Sequence, residues 1–183
     1  TETSASAGLA NTNLARIHSR SGHLDLAEQH AQQGERVLRV EPAVYPLACA
    51  ALARVQLQRG DVAAAEQTVA TGMRSLAQTG GCGTDLDLLC CATELADSKG
   101  DRERIIPALH RCATRLWELV QTIGDRSTRY TYLQGIPQHA AVLRQMIAVL
   151  GHEAAQALLP EPAAWVSSAA EAALLPKVES RSD

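Results

Sequence analysis

Three glycines, Gly22, Gly60 and Gly100, stand 38 and 40 residues apart, each between two stretches of helical apolar periodicity. Around them the chain reads RSGHLDLA, QRGDVAAA and SKGDRERI. The agreement continues outward. Leu14, Leu52 and Ala92 lie eight residues before the glycines, and Ala15, Ala53 and Thr93 seven before. Ala27, Ala65 and Ile105 lie five after, Ala31, Val69 and Leu109 nine after, and Gly34, Gly72 and Cys112 twelve after. Such a period predicts similar units in series, each with an apolar face that only a neighbour can bury.

The unit reads as a helix, a tight turn and a second helix. Glycine ends the first helix in the left-handed conformation without a Cβ clash. Asp61 and Asp101, directly after two of the glycines, can cap the second helices. Hydrophobic residues make up 46% of the chain and aromatics 3%, with no Phe, so the core must come from Ala, Leu and Val. Small side chains let helix axes approach closely.

These features resemble the tetratricopeptide repeat (TPR) family. The Leu-Ala pairs Leu14-Ala15 and Leu52-Ala53, the Gly-Asp turns Gly60-Asp61 and Gly100-Asp101, and the small Ala27 and Ala65 carry the resemblance. It covers three repeats, at about 8–41, 44–78 and 85–123, whose spacings of 38 and 40 residues exceed the usual ~34. The fold it implies is all-α, a right-handed solenoid of antiparallel helix pairs with a C-terminal capping helix.

Residues 126–151 carry a second resemblance. Arg129, Tyr132-Leu133, Ile136-Pro137 and Leu143 are spaced as in the closing segments of TPR regions in bacterial multidomain regulators, among them cyclase-like, kinase-like and LuxR- or MalT-like ATPases; His139 stands where an Asn is usual. Asp125 can cap a short helix at about 126–134, and Pro137 can open the next, with Val142, Leu143, Met146, Ile147 and Leu150 as its apolar stripe up to Gly151. This segment is expected to cap the third repeat. Residues 1–151 thus form the repeat domain, and 152–183 an acidic tail, partly helical and then disordered from Pro176. Residues 79–83 read as a loop, with Thr84 and Asp87 as a capping box. Pro107 should kink its helix or delay its start.

Several chemistries fit poorly. The net charge of −3 sits in the tail, where Glu153, Glu161, Glu171, Glu179 and Asp183 outnumber Lys177 and Arg181; a neutral body is not a nucleic-acid footprint. Five cysteines without a C-x-x-C knuckle give no zinc set. His152-Glu153 is followed by Gln156 where a zinc-protease helix needs its second His. Gly80 to Thr84 lacks the lysine of a phosphate loop. Trp117, Tyr130 and Tyr132 read as core aromatics rather than a ligand cage. No nucleophile–base pair stands out, so the reading is not an enzyme, with no cofactor, metal or catalytic residue. With no signal peptide and no long apolar run, the expected location is the cytoplasm, without membrane association. A first residue of Thr suggests a chain excised or trimmed from something longer.

By the TPR resemblance, the first helix of each repeat lines a concave groove. Its expected lining is Leu9, Thr12, Arg16, Ser19 and Arg20 from repeat one, Leu47, Ala50, Arg54, Leu57 and Gln58 from repeat two, and Asp87, Cys90, Glu94, Asp97 and Ser98 from repeat three. Arg16, Arg20 and Arg54 would form a basic end without a local neutralising carboxylate. Leu47, Ala50 and Leu57 would form an apolar middle, and Asp87, Glu94 and Asp97 an acidic end. The same pattern fits a solvated charged face equally well. The expected function is a protein-interaction or scaffold module of a bacterial regulator. Its partner is a peptide segment or a neighbouring domain, the parent chain's own domains included, and homo-oligomerisation stays open. The alternative is a sensor domain for a small effector or signalling peptide, which an enclosed apolar cavity under the groove would favour.

Overall fold

The computed structural model describes residues 2–79 and 85–167. Among them lie nine α-helices and no strand: α1 Glu2–Arg20, α2 Leu24–Leu38, α3 Tyr45–Gln58, α4 Val62–Thr79, α5 Asp85–Ser98, α6 Arg102–Gln121, α7 Arg126–Gln134, α8 Pro137–Leu150 and α9 His152–Leu158, followed by a 3-10 turn at Pro162–Ala164. The protein is all-α, as the repeat predicts. The loop at Gly80 to Gly83, Thr84 of the capping box and the segment from Pro176 lie outside the described residues.

The three glycine turns share one geometry. Gly22, Gly60 and Gly100 take φ of +76°, +81° and +62°. After each, a backbone amide reaches back five residues: His23 to the His18 carbonyl at 2.9 Å, Asp61 to Gln56 at 2.9 Å and Asp101 to Ala96 at 3.1 Å. Each glycine N–H also bonds the residue three before it, so the Schellman closure recurs at every turn. Asp61 and Asp101 then accept from the Ala64 and Arg104 amides at 3.0 and 3.1 Å, the expected caps.

The chain divides into two compact units, Thr1–Ala108 and Leu109–Asp183, with the division inside α6. In the first unit α1 packs on α2 and α3 on α4, α2 also meets α3, and α4 meets α5. The first helices of successive pairs are neighbours too, α1 with α3 and α3 with α5. One buried cluster joins Ala15, Ala27 and Ala31 of the first pair to Leu52 and Val55 of the second. A larger one joins Ala53, Ala65, Val69 and Leu76 to Leu88, Cys91 and Leu95 of α5. Small residues at the seams set the spacing. A Cβ on Gly72 would lie 2.8 Å from the Cys49 Cβ and 2.9 Å from Leu88 Cδ2. Ion pairs on the turn side repeat in register: Glu28, six after Gly22, bonds Arg59, and Glu66, six after Gly60, bonds Lys99, at 3.2 and 2.7 Å. Each base directly precedes the next glycine. Exposed pairs of this kind stabilise little individually.

In the second unit α7 packs on α8 and on the 3-10 turn, and α8 on α9. Asp125 caps α7 by accepting from the Thr128 amide at 2.7 Å, and Pro137 opens α8 at its first turn. Residues 152–165, read from the sequence as the start of a tail, fold back instead. The Glu161 carboxylate, 3% exposed, accepts from Arg129 Nη1 at 2.9 Å and from the Ala163 amide at 3.2 Å. Arg129 Nε also donates to the Ile123 carbonyl at 2.7 Å, and Trp165 Nε1 to the Leu159 carbonyl at 3.0 Å. Pro107 does not delay α6, which begins at Arg102; the missing donor falls one turn inside the helix, where only the Glu103 carbonyl loses its bond. Leu109, Cys112, Leu116 and Val120 continue as its buried stripe.

Candidate functional site

The rows expected to line a groove separate by depth. The row thirteen before the glycines, Leu9, Leu47 and Asp87, is half-buried, and so is the row six before, Arg16, Arg54 and Glu94. The row ten before, Thr12, Ala50 and Cys90, is buried throughout. Ala50 and Cys90 therefore do not present surface to a ligand, contrary to the sequence expectation. They sit one helical step inward, at 1% and 0% exposure, as a floor beneath the charged row. Leu57 is half-buried, and Arg20 and Asp97 are exposed.

The charges do not stay at separate ends. Arg54 on α3 donates from Nε and Nη2 to the Glu94 carboxylate on α5, both at 3.1 Å. Arg16 on α1 reaches past α3 to Asp87 on α5, with Nη2 3.4 Å from Oδ1. Arg16 and Arg54 of the basic cluster expected to lack a neutralising carboxylate are paired, because neighbouring helices bring the acids of α5 within side-chain reach. Burial alone would lower the Arg54 pKa. Glu94, with Cys91 and Asp87, outweighs it, so the guanidinium is held above its ordinary value. Ser19 on α1 donates to Gln58 on α3 at 2.7 Å, so polar bonds tie together all three first helices. The face is a ladder of paired, partly exposed charges over small buried side chains, with half-buried Leu9, Leu47 and Leu57 beside it.

A second constellation escaped the sequence reading. The Tyr45 hydroxyl donates to Glu35, which also takes two bonds from Arg39 Nη2 at 3.0 and 2.9 Å. Burial and the bond to Glu35 push the Tyr45 phenol up, and burial pushes the adjacent Cys49 thiol up to about 12. These residues, with Leu52, Gln67, Thr68 and Thr71, line an open cleft of about 520 Å³ among α2, α3 and α4. Its carboxylate is already engaged by the phenol and the guanidinium. Tyr45 lies fifteen before Gly60, where the other repeats carry Ala7 and Asp85, so no repeat signal could mark it.

Cys49, Cys90, Cys91 and Cys112 are buried, while Cys82 lies outside the described residues. Among the described residues no cluster of His, Cys, Asp or Glu could hold a metal ion, and no helix is long and apolar enough to cross a membrane. Trp117, Tyr130 and Tyr132 are half-buried rather than core; Tyr132 packs its ring on His139 at 4.7 Å, and His139 Nδ1 lies 2.8 Å from the Tyr132 carbonyl. No protein-family model, curated protein or solved structure matches the chain.

Proposed function

We propose that this is a TPR-like helical-repeat domain acting as a protein-interaction module, with the α1–α3–α5 face as its binding surface. The observation that carries the reading is the charge ladder on three neighbouring first helices, Arg16 with Asp87 and Arg54 with Glu94, left partly open to solvent. The repeated turns and the neighbour pattern of the first unit support a stack of helix pairs. An extended segment with a carboxylate, an apolar middle and a basic group would bind by exchanging partners with the ladder, its apolar part resting on Leu47 and Leu57. Charge then sets direction and on-rate, and the leucines supply the desolvated contact. The motif of residues 126–151 favours a bacterial regulatory protein in the cytoplasm as the setting, with a non-enzymatic role.

The sensor reading calls for an enclosed apolar cavity under the groove. The cleft beside Tyr45 is open and lies among α2, α3 and α4. A selection from a random-peptide display library on the immobilised chain tests the proposal. Segments bearing both charge signs around apolar residues should be enriched, and Leu47→Glu should abolish their retention. Absence of enrichment, or retention unchanged by Leu47→Glu, would count against the face.

A further inference from the structure

Repeat equivalence exposes a second surface, on the outer side of α1. In the second pair, Ala48, Ala51, Leu52 and Val55 lie twelve, nine, eight and five residues before Gly60, and all are buried. Leu52 and Val55 share the cluster with Ala15, Ala27 and Ala31 of the pair before. On α5, Leu88, Cys91 and Leu95 hold the matching places against the second pair, clustered with Ala53, Ala65 and Val69. These rows are how α3 and α5 each sit on the helix pair before them. In the first pair the same rows are Ala10, Asn13, Leu14 and Ile17, and all are exposed. Leu14 is 39% and Ile17 58% open, against 8% for Leu52 and 1% for Val55.

We infer that the outer face of α1 is a docking surface for one further helix pair in the same register, seated on α1 as the first pair is seated on α3. The interface inside the chain specifies that partner's chemistry. It must offer small side chains where Ala15, Ala27 and Ala31 stand, two on the two sides of its turn and one a turn further along. The seams of this kind in the first two pairs are already filled by Leu52, Val55 and Leu95, so a second copy of the chain does not supply one. The six residues 39–44 join α2 to α3, and a connection of that length would join the docked pair to α1. This inference concerns the edge of the stack and is independent of what the charged face binds.

The test uses the full chain with residues 7–44 duplicated in tandem, which keeps the 38-residue period. The added pair then presents its own alanine seam to Leu14 and Ile17 of the original. The duplicated chain should melt higher than the unduplicated one by about 4 °C or more. Leu14→Glu with Ile17→Glu in the original pair should remove that gain. The same two substitutions in the unduplicated chain, where both side chains are exposed, should leave the melting temperature unchanged. A duplicated chain that gains nothing would overturn the inference, as would a gain that survives both glutamates. So would an unduplicated chain that is dimeric in sedimentation and becomes monomeric with the two glutamates, because a second copy would then occupy the face.

Discussion

Arg54 and Glu94, forty residues apart in sequence, meet side-on between α3 and α5, guanidinium Nε and Nη2 both on one carboxylate at 3.1 Å. Arg54 is 13% exposed and Glu94 30%, so the pair is shielded from water without being dry. A double-mutant cycle with Arg54→Met and Glu94→Gln should give a coupling of about 1–2 kcal/mol. Denaturant titration of the four chains measures it. A coupling near zero would mean that the pair is only a surface contact.

The seam at Gly72 tolerates no side chain. Gly72→Ala places a methyl within 3 Å of the Cys49 Cβ and the Leu88 side chain, and the Cys49 contact cannot rotate away. The expected destabilisation is about 1–3 kcal/mol, although alanine is the better helix former. Thermal melting reads the result, and a stabilised variant would show that α4 is free to shift.

Glu161 is the buried carboxylate of the second unit. Glu161→Ala removes the carboxylate that pairs with Arg129 and leaves the Ala163 amide without its cap. The loss should be about 2–4 kcal/mol, with release of the segment around Trp165 seen as a change in tryptophan fluorescence. Unchanged fluorescence and stability would mean that residues 159–165 hold without the carboxylate.

Two titrations act at opposite ends of the pH scale. The Thr128 amide and hydroxyl hold the Asp125 carboxyl below its usual value, so its stabilisation is present above the ordinary carboxylate range and lost as pH falls through the folded value. Asp125→Asn should flatten that acid limb. Burial raises the Cys49 and Cys91 thiols from 9.0 to about 12, so their contribution is full below pH 9 and lost as pH climbs towards 12. In a Cys82→Ser chain, a thiol reagent at pH 8 should react only as fast as the protein opens. Rapid labelling of the folded chain would contradict the burial of the four remaining thiols.

The turns were legible in the sequence because each depends on local chemistry. A glycine with positive φ, an aspartate that caps, and Pro137 at a first helical turn act within five residues of themselves. The depth of the rows expected to line a groove was not legible. Thr12, Ala50 and Cys90 differ from the charged row by one helical step, and only packed neighbours fix the rotation that turns them inward. The pairing of Arg16 with Asp87 depends on two helices lying side by side, which charge counting within a repeat does not reveal. The acidic count after residue 151 suggested solvation, yet Glu161 is held inside by Arg129. Tyr45 had no counterpart in the other repeats, so its cluster with Glu35 and Arg39 left no periodic trace.

The most direct measurement is a titration that separates the ladder's charge order from its structural role. The exchange Arg54→Glu with Glu94→Arg keeps an ion pair between α3 and α5 and reverses its direction. Calorimetric titration with a display-selected segment should show binding at least about 10-fold weaker to the exchanged chain than to the original, with helicity and melting temperature closely preserved. Equal affinity for both chains would contradict the account and remove the α1–α3–α5 face as the binding surface.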